Sequence, residues 1–253
     1  MARYIRYEIG GAVRYGELHG TTIRPLNGGF AKFSPSSEAA VRLEDVKLLA
    51  PTAPSKILSI GPNFTRVPGL AAPMIWTHPA ISANDPEGII ELPPGHPIVN
   101  HESELAVVIG RRAKNVDVEK VGDHIFGYTC YNDVTAGDFG TPGAFVGSHY
   151  YVDGKIFDTF APFGPWIVTD LDTSELHIEC RVNGKVRQSA STANFIFTPH
   201  QVVAHVSKVM TLLPGDIIAM GSPPGMQPIA HGDIVEVEIE NIGILRNHVR
   251  KSS

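Results

Sequence analysis

The chain has 253 residues, enough for one large domain, or a main domain with a small appendage, and for a sizeable core. With 43% hydrophobic and 19% charged residues it is neither disordered nor collagen-like, and a formal charge of −5 excludes the basic surplus that phosphate-backbone binding needs, so no nucleic-acid partner is expected. Cys130 and Cys180 are its two cysteines, too few for a disulfide framework or a thiolate zinc site.

The first residues, Met1-Ala2-Arg3-Tyr4-Ile5-Arg6-Tyr7-Glu8, break every apolar run with a charge, and no later run approaches the roughly 20 apolar residues of a membrane span. The expectation is a soluble, cytoplasmic protein without a membrane partner. From Arg3 to Arg24 short apolar-polar alternation is interrupted by glycines, which predicts a small β-meander, and residues 1–50 read as an accessory N-terminal β-rich domain. The two prolines of Pro51-Thr52-Ala53-Pro54-Ser55 mark the boundary, and residues 55–250 form the main domain. Residues 61–100 are proline-rich with little periodicity and read as ordered loops.

Strands are expected at Glu102–Gly110, Gly127–Asn132, Pro165–Thr169, His177–Val182, Asp216–Met220 and Asp233–Glu240. The last alternates Val235, Val237 and Ile239 with Glu236, Glu238 and Glu240. Thr198-Pro199-His200-Gln201 has the residues of a capping box with proline at N1, and an apolar stripe from Val202 to Leu213 predicts a helix ended by Pro214-Gly215. A second short helix is expected between Asp117 and Asp123. The whole reads as a mostly β, α+β chain.

Walker A, G-x-G-x-x-G and H-E-x-x-H motifs are missing, and in Gly221-Ser222-Pro223-Pro224-Gly225 the serine is misplaced for a nucleophile elbow. The informative element is His101-Glu102-Ser103-Glu104-Leu105. On a strand, Glu102 and Glu104 share a face about 6–7 Å apart, and burying both without a counter-cation is costly. Asp133, at the tip of the apolar run Gly127–Asn132, is a third candidate oxygen ligand. Three carboxylates suit a hard cation, Mg²⁺, Mn²⁺ or Ca²⁺. Lys155, before an apolar segment, can pair with a substrate carboxylate or enolate. His78, His96 and His149 lie in loop-like segments and are candidate acids or bases.

Several blocks in order resemble the fumarylacetoacetate hydrolase family: Lys56-Ile57-Leu58-Ser59-Ile60-Gly61-Pro62-Asn63-Phe64, His101–Gly110, Asn132-Asp133-Val134-Thr135-Ala136, Gly154-Lys155-Ile156-Phe157-Asp158, Val182–Gln188 and Leu213–Ile218. The resemblance implies a mixed β-roll catalytic domain, often a homodimer, with Mg²⁺ or Mn²⁺ held by Glu102, Glu104 and Asp133. It also implies that Lys155 stands beside the metal and that Asn183, Gln188 and Ser222 line the pocket. The implied substrates are 2-oxo acids and 1,3-dicarbonyl compounds, processed by C–C hydrolysis, decarboxylation or keto-enol isomerisation. Thr65–Pro73 lacks the histidine and glutamate that activate water in hydrolytic members. Gly137, His78 and Met220 replace a usual arginine, lysine and threonine. Decarboxylation or isomerisation is therefore favoured over hydrolysis, with a metal-binding homologue without turnover as the alternative.

Overall fold

The computed structural model of the protein describes residues 1–30, 32–137 and 154–252. It is mostly β, as expected, and two sheets carry the fold. The larger runs through Lys32–Pro35, Thr22–Gly29, Ala12–His19, Arg3–Ile9, Ala161–Val168, Ile125–Asn132, Ser103–Ile109, Ile217–Ala219, Ile57–Gly61 and Met74–His78. The smaller is ordered Ile89–Leu92, Gly243–Lys251, Ile234–Ile239, His177–Val182 and Lys185–Ser191.

The predicted meander at the N-terminus is the antiparallel run Arg3–Ile9, Ala12–His19 and Thr22–Gly29. Its first strand also pairs with Ala161–Val168, placing Arg3 opposite Val168 and Tyr4 opposite Ile167, so one sheet continues across residues on both sides of Pro51–Ser55. Part of the 61–100 stretch is strand rather than loop: Met74–His78 pairs antiparallel with Ile57–Gly61, putting Trp76 opposite Ser59.

Alternation decides which side chains meet. Leu105, Val107 and Ile109 point into the main core with Ile178, Cys180, Val182, Val235, Val237 and Ile239 of the smaller sheet. The residues between them, Ala106 and Val108, pack on the other face with Tyr131, Phe163, Ile167, Ile217 and Ala219. Ser103–Ile109 is thus buried on both faces, which suits a central strand. Cys130 and Cys180 are both free and buried.

The helix starts as its cap residues predict. Thr198 Oγ1 accepts from the Gln201 N–H at 3.3 Å, and the Thr198 N–H donates to Gln201 Oε1 at 2.9 Å. It ends at Val209, short of Pro214-Gly215, because Leu212 leaves the helical path to exchange two backbone hydrogen bonds with Ala113, at 2.9 and 3.0 Å. Tertiary pairing overrides the apolar periodicity there. The second predicted helix is a 3₁₀ segment, Val118–His124.

Asp216 ties the start of the main region to this framework. Its fully buried carboxylate accepts from the N–H groups of Ser55 (3.1 Å), Lys56 (3.2 Å) and Leu213 (2.7 Å), the Ser55 hydroxyl (2.7 Å) and the Lys56 ammonium (2.5 Å). Removing it leaves five partly buried donors without their acceptor and breaks a partly buried ion pair. Asp216→Ala is expected to lower the free energy of unfolding by about 3 kcal/mol; a urea midpoint within error of wild type would refute this role.

Candidate active site

Two neighbouring strands bring the acidic groups together. Ser103–Ile109 and Ile125–Asn132 are antiparallel, with Ser103 opposite Asn132 and Glu104 opposite Tyr131. Beyond the ladder, the Glu102 N–H donates to Asn132 Oδ1 at 3.0 Å and the Asp133 N–H to the Glu102 carbonyl at 2.9 Å. Glu102, Glu104 and Asp133 are thereby fixed at one end of the sheet. The Ala136 N–H then bonds the Gly154 carbonyl at 2.8 Å and carries Lys155 back over them.

Lys155 Nζ donates to Asp133 Oδ2 at 2.5 Å and to Thr135 Oγ1 at 2.8 Å, and stands 3.5 Å from Glu102 Oε1. An ammonium only donates, so Thr135 keeps its own proton for Glu102 Oε1 or the Asp133 carbonyl, each 2.9 Å away. Behind them His78 Nε2 lies 2.8 Å from Asp133 Oδ1 but not along a hydrogen-bonding direction, leaving Oδ1 buried without a directed donor. Glu104 Oε2 accepts from the Gly221 N–H at 2.7 Å. Gly221 has φ +88°, and a Cβ there would stand 2.9 Å from Asn63 Cβ, so only glycine fits this approach. Asn63 fixes the same corner, donating to the Met220 carbonyl at 2.8 Å and accepting from the Phe197 N–H at 2.7 Å.

The electrostatics follow from three acids against one ammonium. Burial, then the Asp133 and Glu102 charges, push the Glu104 carboxyl well above the usual carboxylate range. Burial likewise raises Glu102 despite Lys155. For Asp133 burial acts upward too, but Lys155 and His78 outweigh it and hold the group low. Burial works against the Lys155 charge, and Asp133 and Glu102 overcome it, so this lysine stays an ammonium.

These groups open onto a cleft of about 320 Å³ walled by Ile60, Phe64, Val67, Met74, Trp76 and Met226, with Ser222 at its edge. Among the described residues Glu102, Glu104, Asp133 and Lys155 are its ionisable lining. A second cleft of about 350 Å³ adjoins it, sharing Pro62, Thr65 and Val67 and carrying Arg66. Pro62, Thr65 and Val67 therefore stand between two openings, and residues 65–69 are exposed.

Residues 58–250 match the family model described as fumarylacetoacetate (FAA) hydrolase C-terminal, and residues 2–51 match one described as Rv2993c-like, N-terminal. The chain belongs to the fumarylacetoacetate hydrolase family. It is 44% identical over 213 residues to an uncharacterized protein of Archaeoglobus fulgidus, covering 82% of this chain and 83% of that one. It is 36% identical over 231 residues to the mitochondrial oxaloacetate tautomerase fahd2 of Xenopus laevis, covering 85% and 72%. The 2-hydroxyhepta-2,4-diene-1,7-dioate isomerase structure from Mycobacterium marinum superposes with a TM-score of 0.91 at 36% identity, covering all of both chains. Maleylpyruvate hydrolase from Sphingobium sp. SYK-6, solved with manganese (II) and pyruvate, superposes with a TM-score of 0.81 at 28% identity, covering 99% of this chain and 100% of that one.

Among the described residues no three His, Cys, Asp or Glu side chains already surround a common point at ligand distance. The donor set nevertheless fits a divalent cation such as the manganese of the maleylpyruvate hydrolase structure in kind: three hard oxygen donors, a negative excess that one ammonium does not balance, and an Asp133 oxygen buried without a directed donor.

Of the residues singled out from the sequence, Glu102, Glu104, Asp133, Lys155 and Ser222 line the one cleft. The structure places three others differently. His78 is buried beside Asp133, 2.8 Å from Oδ1, and is not among the described lining residues. Asn183 occupies the hairpin turn with φ +53°, donating to Asp233 Oδ1 at 2.8 Å and accepting from the Ile234 N–H at 2.9 Å; it is a turn residue, not a lining one. Gln188 is buried with both ends of its amide engaged by the chain. His96 packs edge-on against Phe157, with ring centroids 4.9 Å apart, and His149 lies outside the described residues. Thr135 was not singled out, although the i, i+2 spacing from Asp133 carries its signal.

His101 shows how the site's rear wall responds to acid. Its Nδ1 lies 3.2 Å from Gln188 Oε1, an acceptor only, so the proton is on Nδ1. Nε2 is buried without a partner, and a second proton would have no acceptor. Burial accordingly lowers the pKa from 6.5 to about 4, with the Gln188 hydrogen bond opposing. The unfolded chain then binds more protons, so this contribution to stability is complete above pH 6.5 and is lost as pH falls towards 4. Comparing urea unfolding from pH 7 to pH 4, the wild type should lose about 3 kcal/mol more than His101→Gln. Parallel pH profiles would exclude this source.

Proposed function

We propose that this protein is a divalent-metal-dependent enzyme that interconverts the keto and enol forms of a 2-oxo acid of the oxaloacetate type. The observation that carries the reading is the cleft lining: three carboxylates and one lysine, and, among the described residues, no histidine or further carboxylate to activate water. Tautomerisation consumes no water, since the proton leaving the carbon beside the oxo group is balanced by one arriving on the oxo oxygen. Relatives named as an oxaloacetate tautomerase and a heptadienedioate isomerase support the same class.

In this reading Glu102, Glu104 and Asp133 hold Mg²⁺ or Mn²⁺, and the ion supplies an electron sink for the enolate. Lys155 holds a proton at Nζ, oriented by Thr135 and Asp133; in the enol-to-keto direction it gives that proton to the carbon and takes one back from the enol oxygen, so it is an ammonium before and after. Ser222 offers a hydroxyl at the cleft edge. Asn63 and Gly221 set the distance between that edge and Glu104. The apolar wall of Ile60, Phe64, Met74 and Met226 limits access of water to the enolate.

The experiment is a calorimetric titration with Mg²⁺ and Mn²⁺, followed by the decay of the oxaloacetate enol absorbance with product masses recorded. Metal-dependent loss of enol without mass change is expected. Carbon dioxide and pyruvate would instead establish a decarboxylase, and cleaved acylpyruvate a hydrolase. Asp133→Asn should abolish metal binding, and Lys155→Met should lower kcat by about 100-fold with metal affinity retained; wild-type turnover in either variant would defeat the assignment.

A further inference from the structure

Gln188 fixes the direction in which the Ser222 hydroxyl points. Its side chain, 1% exposed, bridges the carboxylate strand and the loop at the cleft edge. Oε1 takes the Ser103 N–H at 2.9 Å and the Ser103 hydroxyl at 3.1 Å; Nε2 reaches the Pro223 carbonyl at 2.6 Å and Ser222 Oγ at 2.6 Å. A backbone N–H can only donate and a carbonyl can only accept, so the amide has one possible orientation. Nε2 therefore donates to Ser222, and Ser222 Oγ must accept.

The serine proton then has one long bond inside the chain, to a carbonyl it shares with Gln188. Its nearest acceptor is the Pro223 carbonyl at 3.2 Å, which already takes the shorter bond from Gln188. The remaining direction is the cleft that Ser222 lines. Gly225 lets the loop lie this close: it has φ +109°, and a Cβ there would stand 2.5 Å from the Arg187 carbonyl.

We infer that Gln188 is a positioning residue that polarises Ser222, so that the serine donates its proton to an anionic oxygen of the bound 2-oxo acid. The inference rests on the proposed function for the identity of the ligand. Removing the amide leaves the Pro223 carbonyl to the serine alone, which strengthens that internal bond at the expense of the one to the ligand.

The test is a double-mutant cycle on wild type, Gln188→Met, Ser222→Ala and the double variant, reading oxalate affinity in the presence of Mg²⁺. Thermal midpoints are recorded separately. Methionine keeps the length and approximate volume of glutamine without its polarity. Ser222→Ala should weaken oxalate about tenfold in the wild-type background and by less than twofold in the Gln188→Met background. Ser222→Thr, which keeps the hydroxyl, should restore affinity only where Gln188 is present. A residue that merely supports the fold would lower the midpoint and leave the serine penalty unchanged; equal penalties in both backgrounds overturn the inference, as does a wild-type background in which Ser222→Ala changes nothing. A wild type that binds oxalate but tautomerises no 2-oxo acid defeats the functional reading alone, because the cycle is still read by affinity. A wild type that binds no oxalate removes both.

Discussion

The contact on which the candidate site depends is the buried pair of Asp133 and Lys155, 2.5 Å apart. Charges taken from water at this depth persist only if each finds its complement and its remaining hydrogen bonds. Lys155 has Asp133, Glu102 and Thr135; Asp133 has Lys155 on one oxygen and His78 close to the other. Around this pair every nearby polar position is constrained. Glu104 takes the Gly221 N–H, and Glu102 is held through its backbone to Asn132 and Asp133. Burial, and beside it the excess of carboxylate over ammonium, pushes the two glutamates towards their neutral forms, while Lys155 and His78 hold the aspartate low.

The sheet serves that pair. Antiparallel register places the end of one strand beside the start of its neighbour, so Glu102, Glu104 and Asp133 meet although about thirty residues separate them. Because Ser103–Ile109 is buried on both faces, its side chains have no freedom to shift register without moving a charged group into the core. Gln188 attaches the Met220–Gly225 loop to this strand, bonding Ser103 on one side and Ser222 and Pro223 on the other, while Asn63 ties the Met220 carbonyl to Phe197. Two side-chain amides therefore hold the loop at Met220, Ser222 and Pro223.

What the sequence made legible was local. Alternation identified the carboxylate strand, and the acid at the tip of an apolar run identified Asp133, because period 2 and strand-end position are properties of neighbouring residues. The capping box at Thr198 was legible for the same reason. The helix end was not, since Leu212 answers to Ala113, about a hundred residues away. Asn183 and Gln188 illustrate the limit of assigning roles by block: five residues apart in one hairpin, one stabilises the turn and the other is swallowed by the contact between sheet and loop. Asn-Gly in a tight turn already carried its own explanation. Gln188 had no local signal at all, because its partners come from residues 101–103 and 222–223.

The wall formed by Phe64, Thr65 and Val67 bears on which reaction a common electron sink serves. Hydrolysis, decarboxylation and tautomerisation all pass through charge on an enolate oxygen, and on the proposed reading Lys155 and Ser222 answer that charge in each case. The reactions diverge afterwards. Hydrolysis needs a base aimed at water, whereas tautomerisation needs water kept away long enough for a proton to move between carbon and oxygen. A segment that contributes phenylalanine, threonine and valine to the cleft, with Arg66 turned to the adjoining opening, supplies exclusion and no base. On the proposed reading it is this short stretch of wall, and not the buried charges, that separates tautomerisation from hydrolysis.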